Sequence, residues 1–134
     1  MFHTATMTDR AELGKIGEQS VQDWLVKHGY LIRETNYRKP YGELDIIAEK
    51  DGIIRFIEVK TSRYHADTAF LPEVRVDRRK VANLKKLCET YLREQNVSDS
   101  KNWQIDVISL QLDDTRGTIR SIAHFENAVF EQKY

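Results

Sequence analysis

Two carboxylates and a lysine in the stretch Gly42 to Thr61, GELDIIAEKDGIIRFIEVKT, have the types and spacing to do chemistry. Two apolar, β-branched runs, Leu44 to Ala48 and Ile53 to Val59, flank Asp51-Gly52, a strong signal for a two-residue hairpin turn. With Lys50 opposite Ile53, counting back along both strands sets Asp45 opposite Glu58 and Glu43 opposite Lys60. Strand alternation then gathers Glu43, Asp45 and Ile47 on the face of Phe56, Glu58 and Lys60, leaving Leu44, Ile46, Ala48, Ile57 and Val59 on an apolar face. Carboxylates about 5 Å apart repel by roughly 3 kcal/mol at an effective dielectric near 20. A raised pKa, a neighbouring Lys60 or a bound divalent cation would each offset that repulsion, and a hard cation held by two carboxylates and water is a common use of such a pair. Taken alone, the pair reads at least as well as two solvated acids on an open antiparallel face, with Lys60 beside them.

The elements that must position this pair can be read in order. Residues 1–8 are polar and patternless and are expected to be disordered, with residues 9–134 forming a single domain. Asp9 and Glu12 have a capping-box spacing, and from Arg10 to His28 the residues Leu13, Ile16, Val21, Trp24 and Leu25 recur at helical spacing before Gly29. On that helix Glu18 falls at the edge of the apolar stripe. It is a candidate third carboxylate if the helix covers the sheet, and an ordinary boundary glutamate otherwise. Tyr30 to Tyr37 reads as a strand leading into the hairpin. After Thr61 comes an aperiodic loop, then a helix capped by Asp77 and running from about Arg78 to Gln95, with Val81, Leu84, Leu87, Cys88, Tyr91 and Leu92 as its buried stripe. Trp103 to Leu112 has the alternation of a half-buried strand, and a shorter closing strand is expected over Thr118 to Phe125.

Composition narrows the function classes. The 134 residues carry 21 basic and 21 acidic side chains and 40% apolar residues, as expected of an ordinary globular chain. No apolar run approaches the roughly 20 residues needed to span a bilayer, no signal peptide is visible, and the one cysteine, Cys88, reads as a core residue, so a cytoplasmic protein is expected. Net charge is zero, so any polyanion partner must be met by local charge. Between Arg75 and Lys86 there are six bases, Arg75, Arg78, Arg79, Lys80, Lys85 and Lys86, against the single acid Asp77, and Arg63 lies in the preceding loop. Bases at a helix start oppose the helix dipole, so a phosphate partner is one reading and a solvated face the other. There is no phosphate-cradling glycine loop, and the histidines lack metal-ligand spacing.

Gly14-x-x-Gly17-Glu18, Asn36-Tyr37-Arg38, Gly42-Glu43-Leu44-Asp45-Ile46-Ile47, Phe56-Ile57-Glu58-Val59-Lys60-Thr61, Lys80 with Tyr91-Leu92, Asp106-Val107-Ile108 and Asn127-Ala128 follow one another in a specific order. In that order the chain resembles the YraN-type family of bacterial proteins, within the PD-(D/E)XK nuclease superfamily. The resemblance implies an α/β fold with a restriction-endonuclease-like αβββαβ core, a mixed sheet flanked by helices. It implies that Asp45, Glu58 and the Val59 carbonyl hold Mg²⁺ or Mn²⁺, that Lys60 orients water or stabilises developing charge, and that Glu18 completes the acidic cluster. Arg63, Arg78, Arg79 and Lys80 would contact the backbone of a nucleic acid, DNA being expected. Glu43 and Asp106 are second-rank candidates, and homodimers are common among resolvase-like enzymes. Three classes stay open: a metal-dependent endonuclease acting on linear or branched DNA, a nucleic-acid-binding protein that cuts nothing, and a protein-interaction domain.

Overall fold

The computed structural model describes residues 7–66, 69–70 and 78–128, the side chains of residues 7–9 and 78 excepted. The order of elements is α1 (Met7–Lys27), β1 (Leu31–Lys39), β2 (Gly42–Lys50), β3 (Ile53–Arg63), α2 (Arg78–Glu94), β4 (Asn102–Leu112) and β5 (Ile119–Phe125). Five strands form one sheet in the order β1-β2-β3-β4-β5, and only β3 and β4 run parallel. The parallel pair follows from the chain between them, since a crossover carrying α2 can return to the same end of the sheet where a tight turn cannot. The expected αβββαβ core is present, extended by β5.

Each helix buries its apolar stripe on one face of the sheet. Val21 and Leu25 of α1 pack with Ile46, Ala48, Ile57, Ile108, Leu110 and Leu112, while Val81, Leu84, Leu87, Cys88 and Tyr91 of α2 pack with Leu44, Ile47, Ile54, Phe56 and Ile105. Two-sided cover changes the reading of β4. Ile105 to Leu112 is buried throughout, including Asp106, Ser109 and Gln111, where alternation alone predicts a half-solvated strand. α1 begins at Met7, so residues 7 and 8 of the segment expected to be disordered are helical. It ends as expected, with the Tyr30 N–H donating to the Leu25 carbonyl across Gly29 at 3.0 Å. Asp77, the expected cap of α2, and Arg75 lie outside the described residues.

The hairpin register is the predicted one over its turn half. Lys50 pairs with Ile53 and Ile46 with Ile57, and Asp51 and Gly52 take φ values of +54° and +75°, as a type I′ turn needs. The β2–β3 ladder then stops, so Asp45 with Glu58 and Glu43 with Lys60 are not ladder partners. The expected faces also change there, because Leu44 packs on the α2 side with Ile47 instead of with Ile46. On the other edge of β2, pairing with β1 shifts register between Ile32 and Glu34 and then holds through Thr35–Ile46 and Tyr37–Leu44, with Asn36 between them at a φ of +52°. Regular alternation fails between Leu44 and Ile46, where the β2–β3 ladder has ended and Asn36 on β1 has a positive φ.

α1 crosses β3 at Gly17, where a Cβ atom would stand 2.0 Å from Thr61 Oγ1. Only glycine permits this approach, and it sets Glu18 against the sheet. Gly17→Ala is therefore expected to lower stability by about 1–3 kcal/mol, the range for overpacking, in spite of alanine's better helix propensity. Combined with Thr61→Gly, it should cost less than the sum of the two single changes. Urea unfolding of the three variants measures both; strict additivity would show that the two residues do not compete for this space.

Candidate functional site

The site is built where β2 and β3 separate. Asp45 Oδ2 accepts the Val59 N–H at 2.7 Å, taking a donor that a continuing ladder would otherwise use. Extended backbone turns the N–H and C=O of one residue to the same edge, so the Val59 carbonyl faces the same gap. Glu18, delivered by the Gly17 crossing, shares a hydrogen bond with Asp45. With its amide nitrogen turned toward the acids, Asn36 donates to Glu18 Oε2 at 3.1 Å and to Glu43 Oε1 at 3.3 Å. Arg38 closes the outer side, its guanidinium 3.0 Å from Glu43 Oε1.

The electrostatics follow from crowding acids into a partly dry notch. Burial, then the charge of Asp45, their shared hydrogen bond and the charge of Glu43 push the Glu18 carboxyl up to about 7, against the pull of Arg38. Burial also raises Asp45, with the charges of Glu58 and Glu43 adding to the rise, while the Val59 N–H and the Glu18 hydrogen bond oppose it. Both carboxyls are thus harder to ionise than free ones, and their titrations are linked through the hydrogen bond between them. Glu58 is balanced differently. Its Oε1 accepts from the Lys80 ammonium, and its Oε2 is buried with no hydrogen-bond partner among the described residues.

Of the residues singled out in the sequence, Glu18, Asp45, Glu58 and Val59 converge. Lys60 follows on β3, beside Ser109 of β4. Lys80 reaches the site across the α2 side, so the ion pair formed with Glu58 comes from this helix. Arg63 is exposed at the end of β3, Arg79 is exposed in the first turn of α2, and Arg78 opens that helix. Asn36 was part of a recognised motif without a role; an asparagine in a strand pattern, which tolerates positive φ, was the available signal. The donor set fits a divalent cation: Asp45 and Glu58 carboxylates, a carbonyl facing the gap and an oxygen on Glu58 that the protein leaves unsatisfied.

Asp106 belongs elsewhere. It pairs in register with Ile57, on the α1 side of the sheet, and accepts from Gln104 Nε2 at 2.8 Å and the Asn127 N–H at 2.9 Å, with His124 Nε2 at 2.8 Å. Among the described residues, Asp106, His124 and Glu126 are the three acid or histidine side chains whose ligand atoms lie within 4.8 Å of one another. The place of a cation there is taken by Arg55, which bonds Glu126 and lies 3.8 Å from Asp106 Oδ2. This network ties the end of β5 to β3 and β4.

The raised Glu18 pKa sets a pH dependence. A folded-state value near 7 against an ordinary 4.5 means that its contribution to stability is complete below about pH 4.5 and is lost as pH rises through 7. Glu18→Gln, which can still donate to Asp45, is expected to be more stable than the wild type at pH 8 by about 1 kcal/mol, after discounting for solvent screening, and to lose that advantage at pH 4. Thermal unfolding across pH measures it; parallel stability profiles would contradict the raised Glu18 pKa.

No helix among the described residues is long and apolar enough to cross a membrane. Residues 17–110 match the family model described as uncharacterised protein family UPF0102. Similar curated proteins, each called a UPF0102 protein, include one from Dictyoglomus thermophilum, 42% identical over 75% of this chain and 83% of its own length. Another from Syntrophomonas wolfei is 41% identical over 83% and 94%, and one from Thermodesulfovibrio yellowstonii 39% identical over 90% and 98%. With a matching model over most of its length and relatives of this similarity, the chain belongs to UPF0102, the YraN family of the sequence resemblance.

Proposed function

We infer that the chain is a metal-dependent endonuclease that hydrolyses phosphodiester bonds, with DNA as the substrate. The observation that carries this reading is the buried Glu58 Oε2 beside Asp45, unsatisfied among the described residues, in a notch where Glu18 and Asp45 are both held above their ordinary pKa. A protein needing only stability has no use for three acids there, since each raises the cost of the others.

Asp45, Glu58 and the Val59 carbonyl would hold Mg²⁺ or Mn²⁺, which supplies Lewis-acid polarisation of the phosphate and a lowered pKa for water. Asp45 is oriented for this by the Val59 N–H, which fixes one of its oxygens. Glu18 completes the acidic cluster beside Asp45. Lys60, two residues past Glu58 on the same strand, stabilises negative charge as it develops on the phosphate. Arg63, Arg78, Arg79 and Lys80 contribute backbone contacts, which position a nucleic acid without reading its sequence.

The test is cleavage of linear duplex, single-stranded and four-way-junction DNA by the purified protein in Mg²⁺, Mn²⁺ or EDTA. Asp45→Asn keeps an acceptor for Val59 and Glu58→Gln keeps the shape of its side chain, so both should fold. Each is expected to lower the cleavage rate on the order of 10³-fold, the scale of losing one charge-stabilising group. Binding without cutting by the wild type would instead favour a non-catalytic nucleic-acid-binding role, and neither binding nor cutting a protein-interaction domain.

A further inference from the structure

The Lys80–Glu58 contact joins two parts of the molecule whose charges need each other. Lys80 is the third residue of α2, whose first turn carries no acid and begins Arg78-Arg79-Lys80 at the positive end of the helix dipole. Glu58 is a carboxylate from outside the helix that meets this excess. Its side chain is only 17% exposed, so its charge needs a partner, whereas the Lys80 side chain is 47% exposed. Val81, Leu84, Leu87 and Cys88 fix α2 itself on the sheet, which leaves the flexible lysine stem as the part able to move.

Resting on the metal-dependent reading above, we propose that Lys80 is a displaceable counter-ion of Glu58, a positioning residue that couples cation loading to capture of a phosphate backbone. Without a cation the ammonium neutralises Glu58 and keeps its carboxylate facing the notch. A divalent cation on Asp45 and Glu58 neutralises the same carboxylate and repels the ammonium. Lys80 then turns to the nearest mobile anion, a phosphate of the bound strand. The site thus grips a nucleic acid more tightly once it is loaded, and a lysine suits the exchange because it is a compact charge on a flexible stem.

Calorimetric titration of Mn²⁺ into the wild type, Lys80→Met, Lys80→Gln, Lys80→Arg and Glu58→Gln tests this, with circular dichroism to confirm that each variant is folded. Removing the competing charge is expected to tighten Mn²⁺ binding about fivefold in Lys80→Met and Lys80→Gln, the scale of a partly exposed ion pair, while Lys80→Arg stays near the wild type. Binding of a short DNA duplex, measured by fluorescence anisotropy in EDTA and in Ca²⁺, supplies the second readout. The wild type should gain affinity on adding Ca²⁺, and Lys80→Met should lose most of that gain, its affinity falling further below the wild type in Ca²⁺ than in EDTA. Mn²⁺ binding that depends on Glu58 but is unchanged by removing the lysine charge would overturn the counter-ion role and leave the metal site standing. An equal loss of DNA affinity with and without Ca²⁺ would also overturn it, by making Lys80 a plain phosphate contact. Mn²⁺ binding that Glu58→Gln does not weaken would remove the metal site, and this proposal with it.

Discussion

The arrangement of the site depends on one hydrogen bond, the Val59 N–H to Asp45 Oδ2 at 2.7 Å. A hairpin that continued its ladder past Ile46 and Ile57 would close β2 onto β3 and satisfy Val59 with backbone. By accepting that donor, Asp45 keeps the strands apart without leaving a buried N–H unpaired, a loss on the order of 1–3 kcal/mol. The gap is where Glu18 can enter from one side of the sheet and Lys80 from the other. Gly17 and Asn36 serve the same site, one by letting α1 approach Thr61, the other by directing its amide to Glu18 and Glu43 from a positive-φ position on β1.

Two acids lie one register position apart on β3 and β4, Glu58 opposite Val107 and Asp106 opposite Ile57, and the contrast between them is informative. Asp106 is fully buried, with both carboxylate oxygens hydrogen-bonded and Arg55 supplying a fixed positive charge. That is how a protein buries a carboxylate for structure. Glu58 has one oxygen on the half-exposed Lys80 and the other without a partner among the described residues, and its neighbours Asp45 and Glu18 are held above their ordinary pKa values. Incomplete satisfaction in a partly exposed notch is the pattern of a site awaiting a ligand.

Much of this was legible in the sequence because local rules carried it. Asp51-Gly52 fixed the hairpin register, the stripe from Val81 to Leu92 marked the face of α2, and the order of motifs pointed to the family and its αβββαβ core. Glu18 fell at the edge of its helix stripe, and the sheet-covering position that this allowed is where it is found. What escaped depends on contacts between distant elements. The end of the ladder at Asp45 is set by a side chain competing with backbone, which alternation cannot register. The burial of Asp106, Ser109 and Gln111 follows from helices on both faces of β4, not from the pattern within it. Lys80 as the partner of Glu58 requires knowing that the α2 start lies over β3, whereas strand counting pointed to Lys60.

The central claim is that Asp45 and Glu58, opened by the Val59 hydrogen bond, form a divalent-cation site, and that the Asp106 network is structural. Anomalous scattering from crystals grown with Mn²⁺ tests it most directly. The account predicts a peak between the Asp45 and Glu58 carboxylates within reach of the Val59 carbonyl, with the Lys80 ammonium no longer on Glu58. A peak instead among Asp106, His124 and Glu126, or none between Asp45 and Glu58 at millimolar Mn²⁺, would contradict it.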